Sequence, residues 1–271
     1  MSTAIEVQKH EGVAEVTLAG PGKGNAMGPD FFRELPKIFD DLDRDDDVRA
    51  VLVRGKGGVF SYGLDLKAMA PLLMPVFSAE SPAKERTKFL RLIDELRAGF
   101  DAVERCSKPV IAAVAGACIG GGVDLISACD VRFCAKDAKF SVREVKLAIV
   151  ADMGSLQRLP RIIGHGATRE LAFTGKDIDA TEAHRLHLVN DVLDDEAALL
   201  DRARATAREI AANPPLTVQG VKAVLNYAEE SRIRESEKFV AVWNAAFLAS
   251  KDLMEAMSAF MEKRPAKFKG E

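Results

Sequence analysis

The sequence predicts an α/β protein with a helical C-terminal part. Strand-like apolar runs alternate with helix-period segments through roughly the first two-thirds of the chain. From Glu196 onward only helical patterns remain, broken at Asn213-Pro214-Pro215. Between these regions the glycines Gly120, Gly121 and Gly122 join the strand-like run VIAAVAGA to the helix-like VDLISA. The chain therefore divides into an α/β core over 1–195 and a helical region over 196–271.

Taken in order, residues 4–9 and 13–19 alternate in the manner of strands around Glu11-Gly12, which reads as a hairpin. The loop PGKGNAM follows, then a helix from Pro29 to about Asp43, with Pro36 inside it as a candidate kink. Val48–Arg54 is a strand, and the loop KGGVFSYGLDL leads into a helix from Asp65. A backbone amide near Tyr62 is placed to face a ligand, although ordinary strand-to-helix turns look the same. Residues 67–83 hold Pro71, Pro75 and Pro82, so a short helix and then a mobile segment are expected. That segment fits the wall of an apolar tunnel or an ordinary surface loop equally well. Lys84–Cys106 is a long amphipathic helix and Val110–Val114 a buried strand. Beyond Gly154, SLQRLPRIIG, ATRELAFTG and ATEAHRLH read as helices and Val189–Leu193 as a short strand. The final helices, about Ser231–Ala249 and Leu253–Glu262, carry Val240, Trp243, Phe247, Met257 and Phe260 on apolar faces that need a partner surface.

Composition removes several function classes. The chain has 271 residues, is 48% hydrophobic and carries a formal charge of −3. Such a chain can build a core, and nothing in its charge or its 6% aromatic content suits nucleic acid. Cys106, Cys118, Cys129 and Cys134 form no CxxC pair and read as buried free thiols. His184 and His187 share a helix face without an evident third ligand, so no metal site is expected. Neither GxGxxG after a strand nor GxxxxGK[ST] occurs, which removes the main support for dinucleotide or P-loop binding. The start MSTAIEVQKHEG lacks an apolar signal core, no run reaches the length of a membrane span, and the end is FKGE rather than SKL. Cytoplasmic residence is the expectation from these features.

The stretch from Gly116 to Arg158 carries the chemistry. Glycine lets backbone approach a ligand, and the free amides at a helix start bear partial positive charge. Such a turn suits an oxygen that becomes negative. Asp124, Glu144 and Asp152 follow in mainly apolar surroundings, where a charge is costly unless used or paired. Carboxylates with raised pKa values beside an oxyanion site are the parts needed to move protons next to a carbonyl. Singly, a glycine triplet is usually a tight turn and an aspartate after it a cap; the combination is what points to a site.

These motifs resemble the crotonase, or enoyl-CoA hydratase/isomerase, superfamily. The likeness runs through NAM at 25–27, FSYGLDL at 60–66, GACIGGGVDL at 116–125, FSVREVKLAIVADMGSLQRLPRIIG at 140–164 and AFMEKRPAKFK at 259–269. It implies a crotonase-like spiral of ββα units, with C-terminal helices that build homotrimers or dimers of trimers. It implies an acyl-CoA substrate whose thioester oxygen lies between the backbone amides of Tyr62 and Gly121, and no separate cofactor, since coenzyme A enters as part of the substrate. Within the superfamily, hydratases have glutamates at the positions of Asp124 and Glu144 and glycine at that of Asp152. The set GGGVD, REV and AD-M-G is most similar to the delta(3,5)-delta(2,4)-dienoyl-CoA isomerase branch of fatty-acid β-oxidation. That resemblance implies that Glu144 removes a proton from carbon 2, Asp152 supplies one at carbon 6, and Asp124 supports the site. It also implies CoA contacts from Ser61, Gly63, Leu64 and Asp65, from Lys23, Asn25 and Ala26, from Gly120, and from Lys263 toward a neighbouring subunit. Tyr62 stands where alanine is usual, and Ala151 where proline is common. Two other readings stay open on sequence: a hydratase using Asp124 and Glu144, and a silent crotonase-fold binding protein.

Overall fold

A computed structural model describes residues 4–73, 82–147, 149–230 and 251–271. β1 (Ile5–His10) and β2 (Val13–Leu18) form the expected antiparallel hairpin. After it, β3 (Ala50–Gly55), β4 (Val110–Val114), β6 (Val131–Ala135) and β9 (Asp191–Leu193) add in parallel, giving a sheet of order β1-β2-β3-β4-β6-β9. Parallel strands need crossover segments, and these put helices on both faces.

The sequence of β3 explains both layers. Side chains alternate across a strand, so Val51 and Val53 face one way and Ala50 and Leu52 the other. Val51 and Val53 pack with Phe31, Leu35 and Phe39 of α1 (Pro29–Arg44) and Phe100 and Val103 of α3 (Pro82–Arg105). Ala50 and Leu52 pack with Ile111, Ala113 and Phe133 beneath Leu199, Ala203 and Ala207 of α7 (Glu196–Ala211). Thus α7, although it lies beyond residue 195, covers one face of the sheet.

A second, smaller sheet positions the site. β5 (Ala117–Ile119) pairs in parallel with β7 (Lys139–Ser141), and β7 pairs with the two-residue β8 (Ile178–Asp179). Strands this short carry no periodicity, so the sequence did not announce them. α2 (Leu66–Leu73) and α4 (Gly121–Ser127) start where the two glycine-bearing loops end. α5 (Ser155–Thr174) is two helical pieces meeting at Gly164, whose φ of 77° interrupts the helix as the two separate sequence patterns suggest. α6 (Ala180–Arg185) and α7 open on aspartate caps, Asp179 to the Glu182 N–H and Asp195 to the Ala198 N–H, both at 2.8 Å.

α8 (Pro215–Glu230) begins after the Asn213-Pro214-Pro215 break, and α9 (Lys251–Glu262) is the last helix. The expected helix over Ser231–Ala249, the expected mobile segment over 74–81 and the side chains of Met257 and Phe260 lie outside the described residues. The chain is not helical to its end. Residues 263–271 fold back, because the buried Asp252 carboxylate accepts the Lys269 and Gly270 N–H groups at 2.7 and 2.8 Å and Arg49 donates to the Phe268 carbonyl at 2.9 Å. Among the described residues, no helix is long and apolar enough to cross a membrane.

Leu52 is fully buried on the α7 side, away from the site described below. Leu52→Ala is expected to cost about 2–5 kcal/mol in urea unfolding, with activity per folded molecule unchanged.

Candidate active site

Two short parallel strands bring the glycine turn and a glutamate together. Ile119 pairs with Ser141, and the Gly120 N–H donates to the Ser141 carbonyl at 2.9 Å. Gly120 has φ 53° and ψ −116°, and a Cβ there would lie 3.0 Å from Glu144 Oε1. Both the backbone and the glutamate therefore demand glycine. A cavity of about 550 Å³ opens at this junction, lined by Asp124, Glu144 and Asp152 as well as Gly120 and Gly121. Its far wall is Phe89, Ile93, Leu96 and Phe100 of α3, a helical stripe that the sequence spacing already contained. Phe100 also packs with Phe31 and Phe32 of α1, at ring-centroid distances of 6.2 and 6.3 Å.

The three acids meet in one apolar space and are driven toward their neutral forms. Burial pushes Asp124 up to about 6; the Ser155 contacts and then the charge of Arg158 pull it back, and the charge of Asp152 adds a little. Asp124 is 1% exposed, and its Oδ1 accepts the Ser155 N–H at 2.8 Å. Burial, followed by the negative charge of Asp124, pushes Glu144 up to about 7. Its Oε2 is buried and has no hydrogen-bond partner among the described residues. An unpartnered buried oxygen facing a cavity is placed to take a proton from whatever enters. Burial also raises Asp152, against its own backbone N–H and the charge of Arg97.

The backbone donors need one correction. The Gly121 amide starts α4, where no intrahelical partner exists, and Gly121 lines the cavity. The Tyr62 amide does not match it, because it donates to the Gly24 carbonyl at 2.9 Å. The Tyr62 ring lies against Gly24, where an added Cβ would sit 1.9 Å from Cδ2. Two residues on, Leu64 bridges Met27: the Met27 N–H binds the Gly63 carbonyl at 2.7 Å and the Asp65 N–H binds the Met27 carbonyl at 3.0 Å. In an extended segment the intervening N–H points the other way. The Leu64 amide has no hydrogen-bond partner among the described residues, and Leu64 lines the cavity. A Cβ on Gly63 would be 3.1 Å from the Gly121 nitrogen, so the two loops touch at this point. Leu64 and Gly121, not Tyr62 and Gly121, are the pair of open donors.

Other expected ligand residues shape the loops. Asn25, buried and left-handed at φ 54°, donates from Nδ2 to the carbonyls of Lys56, Val59 and Phe60 at 3.0, 2.7 and 3.3 Å. Ser61 Oγ donates to the Asn25 carbonyl at 2.9 Å and accepts the Gly63 N–H at 3.0 Å. Asp65 Oδ1 accepts the Ala68 N–H at 2.9 Å at the start of α2. Neither these side chains nor Lys23, Ala26 and Lys263 line the cavity, and both lysines are exposed. Sequence reading missed Ser155, the Asp124 partner, because a backbone donor leaves no side-chain signal. Among the described residues, no three His, Cys, Asp or Glu side chains gather as metal ligands.

Residues 8–271 match the enoyl-CoA hydratase/isomerase family. The chain belongs to this family. It is 47% identical over 257 residues to a mitochondrial delta(3,5)-delta(2,4)-dienoyl-CoA isomerase of Dictyostelium discoideum, covering 95% of this chain and 87% of the relative. It is 43% identical to a peroxisomal delta(3,5)-delta(2,4)-dienoyl-CoA isomerase of Arabidopsis thaliana, covering 94% and 92%. The crystal structure of an enoyl-CoA hydratase from Bacillus anthracis superposes with a TM-score of 0.89 at 30% identity, covering 99% of this chain and all of that one. The fold is thus the crotonase α/β fold expected from sequence. The expectation of cytoplasmic residence is overturned by these relatives, which are named mitochondrial and peroxisomal.

Because the Asp124 charge helps to raise Glu144, Asp124→Asn is expected to move the Glu144 titration below its value of about 7. Carbon-13 NMR of labelled glutamate would follow it, and an unmoved midpoint would show the two carboxyls to be uncoupled.

Proposed function

We propose that this chain converts 3,5-dienoyl-CoA to 2,4-dienoyl-CoA by a 1,5 proton shift. The observation that carries the reading is a third acid: Asp152 lines the same apolar cavity as Glu144 and Asp124. Relatives named for this reaction, at 47% and 43% identity, support it. The thioester oxygen sits between the Leu64 and Gly121 amides. Glu144, as carboxylate, takes a proton from carbon 2, and the electron pair moves into the conjugated chain as a dienolate whose negative oxygen the two amides stabilise. Asp152, whose neutral form burial favours, gives its proton to carbon 6. The double bonds move from carbons 3 and 5 to carbons 2 and 4. No electrons leave the substrate, so the shift calls for no redox cofactor, and coenzyme A enters as part of the substrate. Proton return from Glu144 to Asp152 completes the turnover.

Hydration would require Asp124 and Glu144 to hold one water. Asp124 is 1% exposed and its Oδ1 already accepts the Ser155 N–H, which suits support of the site better. Within this reading the reaction serves fatty-acid β-oxidation. Lys23 and Lys263, exposed outside the cavity, reach CoA phosphates, Lys263 from a neighbouring subunit in a homotrimer or dimer of trimers built by the helices after α7.

The test is an ultraviolet assay with 3,5-octadienoyl-CoA, beside hydration of crotonyl-CoA. Fast formation of the conjugated 2,4-dienoyl thioester with weak hydration is expected; the reverse would make the protein a hydratase. Glu144→Gln is expected to lower turnover about 10²–10⁴-fold. Asp152→Asn is expected to abolish conjugation while deuterium still enters carbon 2 from D₂O. Since Glu144 must be ionised and Asp152 protonated, kcat/KM should be bell-shaped in pH, with one limb near 7, the range to which burial moves Glu144. A rate flat between pH 5 and pH 9 would remove Glu144 as the base.

A further inference from the structure

Arg158 is a buried cation that neither proton transfer uses. It sits in the first turn of α5 and is 7% exposed. Its fork reaches α3: Nε and Nη2 donate to Glu104 Oε2 at 3.0 and 2.6 Å, and Nη2 donates to Asp101 Oδ1 at 2.9 Å. The remaining nitrogen, Nη1, turns back and donates to the Met153 carbonyl at 3.2 Å. A Cβ on Gly154 would lie 1.9 Å from Nη1, so the guanidinium rests directly on bare backbone. Gly154 itself has φ 112°, which a side chain would strain.

These contacts lie next to one catalytic acid and away from the other. Asp152 immediately precedes Met153, and both line the cavity. Ser155, on the other side of Gly154, is held by Asp124. The α3 residues that anchor Arg158 belong to the helix whose Phe89, Ile93, Leu96 and Phe100 form the far wall. One side chain therefore joins the Asp152 segment to that wall. Glu144 follows the β7 arm, and among the described residues no Arg158 hydrogen bond reaches that arm. Arginine suits the task because its planar fork binds two carboxylates and a carbonyl at fixed angles, which an ammonium cannot do.

We propose that Arg158 is a positioning residue for the second proton transfer, holding the Met153 carbonyl so that Asp152 meets carbon 6 of the bound chain. This rests on the isomerase reading of the cavity. An ion cluster that only tied α5 to α3 would, when loosened, slow both proton transfers alike. A positioning residue slows only the one that Asp152 performs.

The experiment compares wild type with Arg158→Lys on 3,5-octadienoyl-CoA in D₂O. It follows conjugation by absorbance and deuterium at carbon 2 of recovered substrate by mass spectrometry. A misplacement near 1 Å lowers a rate by about 10²-fold. Conjugation is expected to fall about 10–10²-fold, with carbon 2 exchange and KM within about threefold of wild type. An equal fall in exchange and conjugation, or unchanged conjugation, overturns the proposal. If Arg158→Lys shows no cooperative melting by circular dichroism, Glu104→Gln takes its place. That variant keeps the arginine and loosens only its anchor, and the same split between the two steps is expected, with an equal fall again overturning. Wild type that exchanges carbon 2 without conjugating overturns the isomerase reading and the positioning role with it. Wild type that conjugates, beside variants without the split, overturns the positioning role alone.

Discussion

Much of this structure follows from forcing three carboxyl groups into one apolar space. Burial raises Asp124 and Glu144 most, the Asp124 charge raises Glu144 further, and the Asp152 charge adds to both. A pKa unit corresponds to about 1.4 kcal/mol, so each shift costs the folded state on the order of 3 kcal/mol once both groups ionise. The sign is fixed: the folded protein holds these protons more tightly than the unfolded chain. That contribution is fully present below the ordinary carboxylate range and is lost as pH rises through about 6 and 7. The sheet, its two helical covers and the loop contacts must supply enough stability to hold the acids there.

The two faces of the main sheet divide this task. On one, β3, β4 and β6 present Ala50, Leu52, Ile111, Ala113 and Phe133 to the alanine-rich stripe of α7, which approaches closely because Ala203 and Ala207 are small. That face is packed and inert. On the other, α1 and α3 meet the sheet through phenylalanines, and Phe32 of α1 with Phe89, Ile93, Leu96 and Phe100 of α3 walls the cavity. The small sheet then sets Glu144, three residues past the end of β7, beside the turn after β5. Glycine at 120 is the joint between the two, because any side chain there would crowd Glu144 Oε1.

Sequence made the long elements legible and most of the chemistry with them. α1, α3, β3 and β4 announced themselves by period and apolar content, and Asp124, Glu144 and Asp152 by being acids in apolar runs. What sequence could not show was direction. In an extended loop, alternate amides point to opposite sides, so a shift of two residues separates the occupied Tyr62 amide from the open Leu64 amide. Nor could it say that the Asn25 carboxamide and Ser61 hydroxyl would turn inward to satisfy carbonyls and an amide of their own loops. Residue type reveals capacity for hydrogen bonding; only the fold selects the partner.

The proposed 1,5 shift asks more of a site than a charge beside a carbonyl. The base and the acid act at carbons four positions apart, so the enzyme must fix the chain as well as its thioester end. The amides of Leu64 and Gly121 can fix only that end. Along the remainder, position comes from the α3 wall, and no hydrogen bond to substrate is available there because the wall residues Phe89, Ile93, Leu96 and Phe100 are apolar. The distal acid must therefore be referenced to that wall, not to the oxyanion site. Asp152 lies on a segment whose next carbonyl is held by a cation bound to α3 itself, so acid and wall share one frame. Glu144 needs no such tie, because the β5–β7 pairing already references it to the amide at Gly121. The two proposed proton transfers thus draw their geometry from two different pieces of the fold.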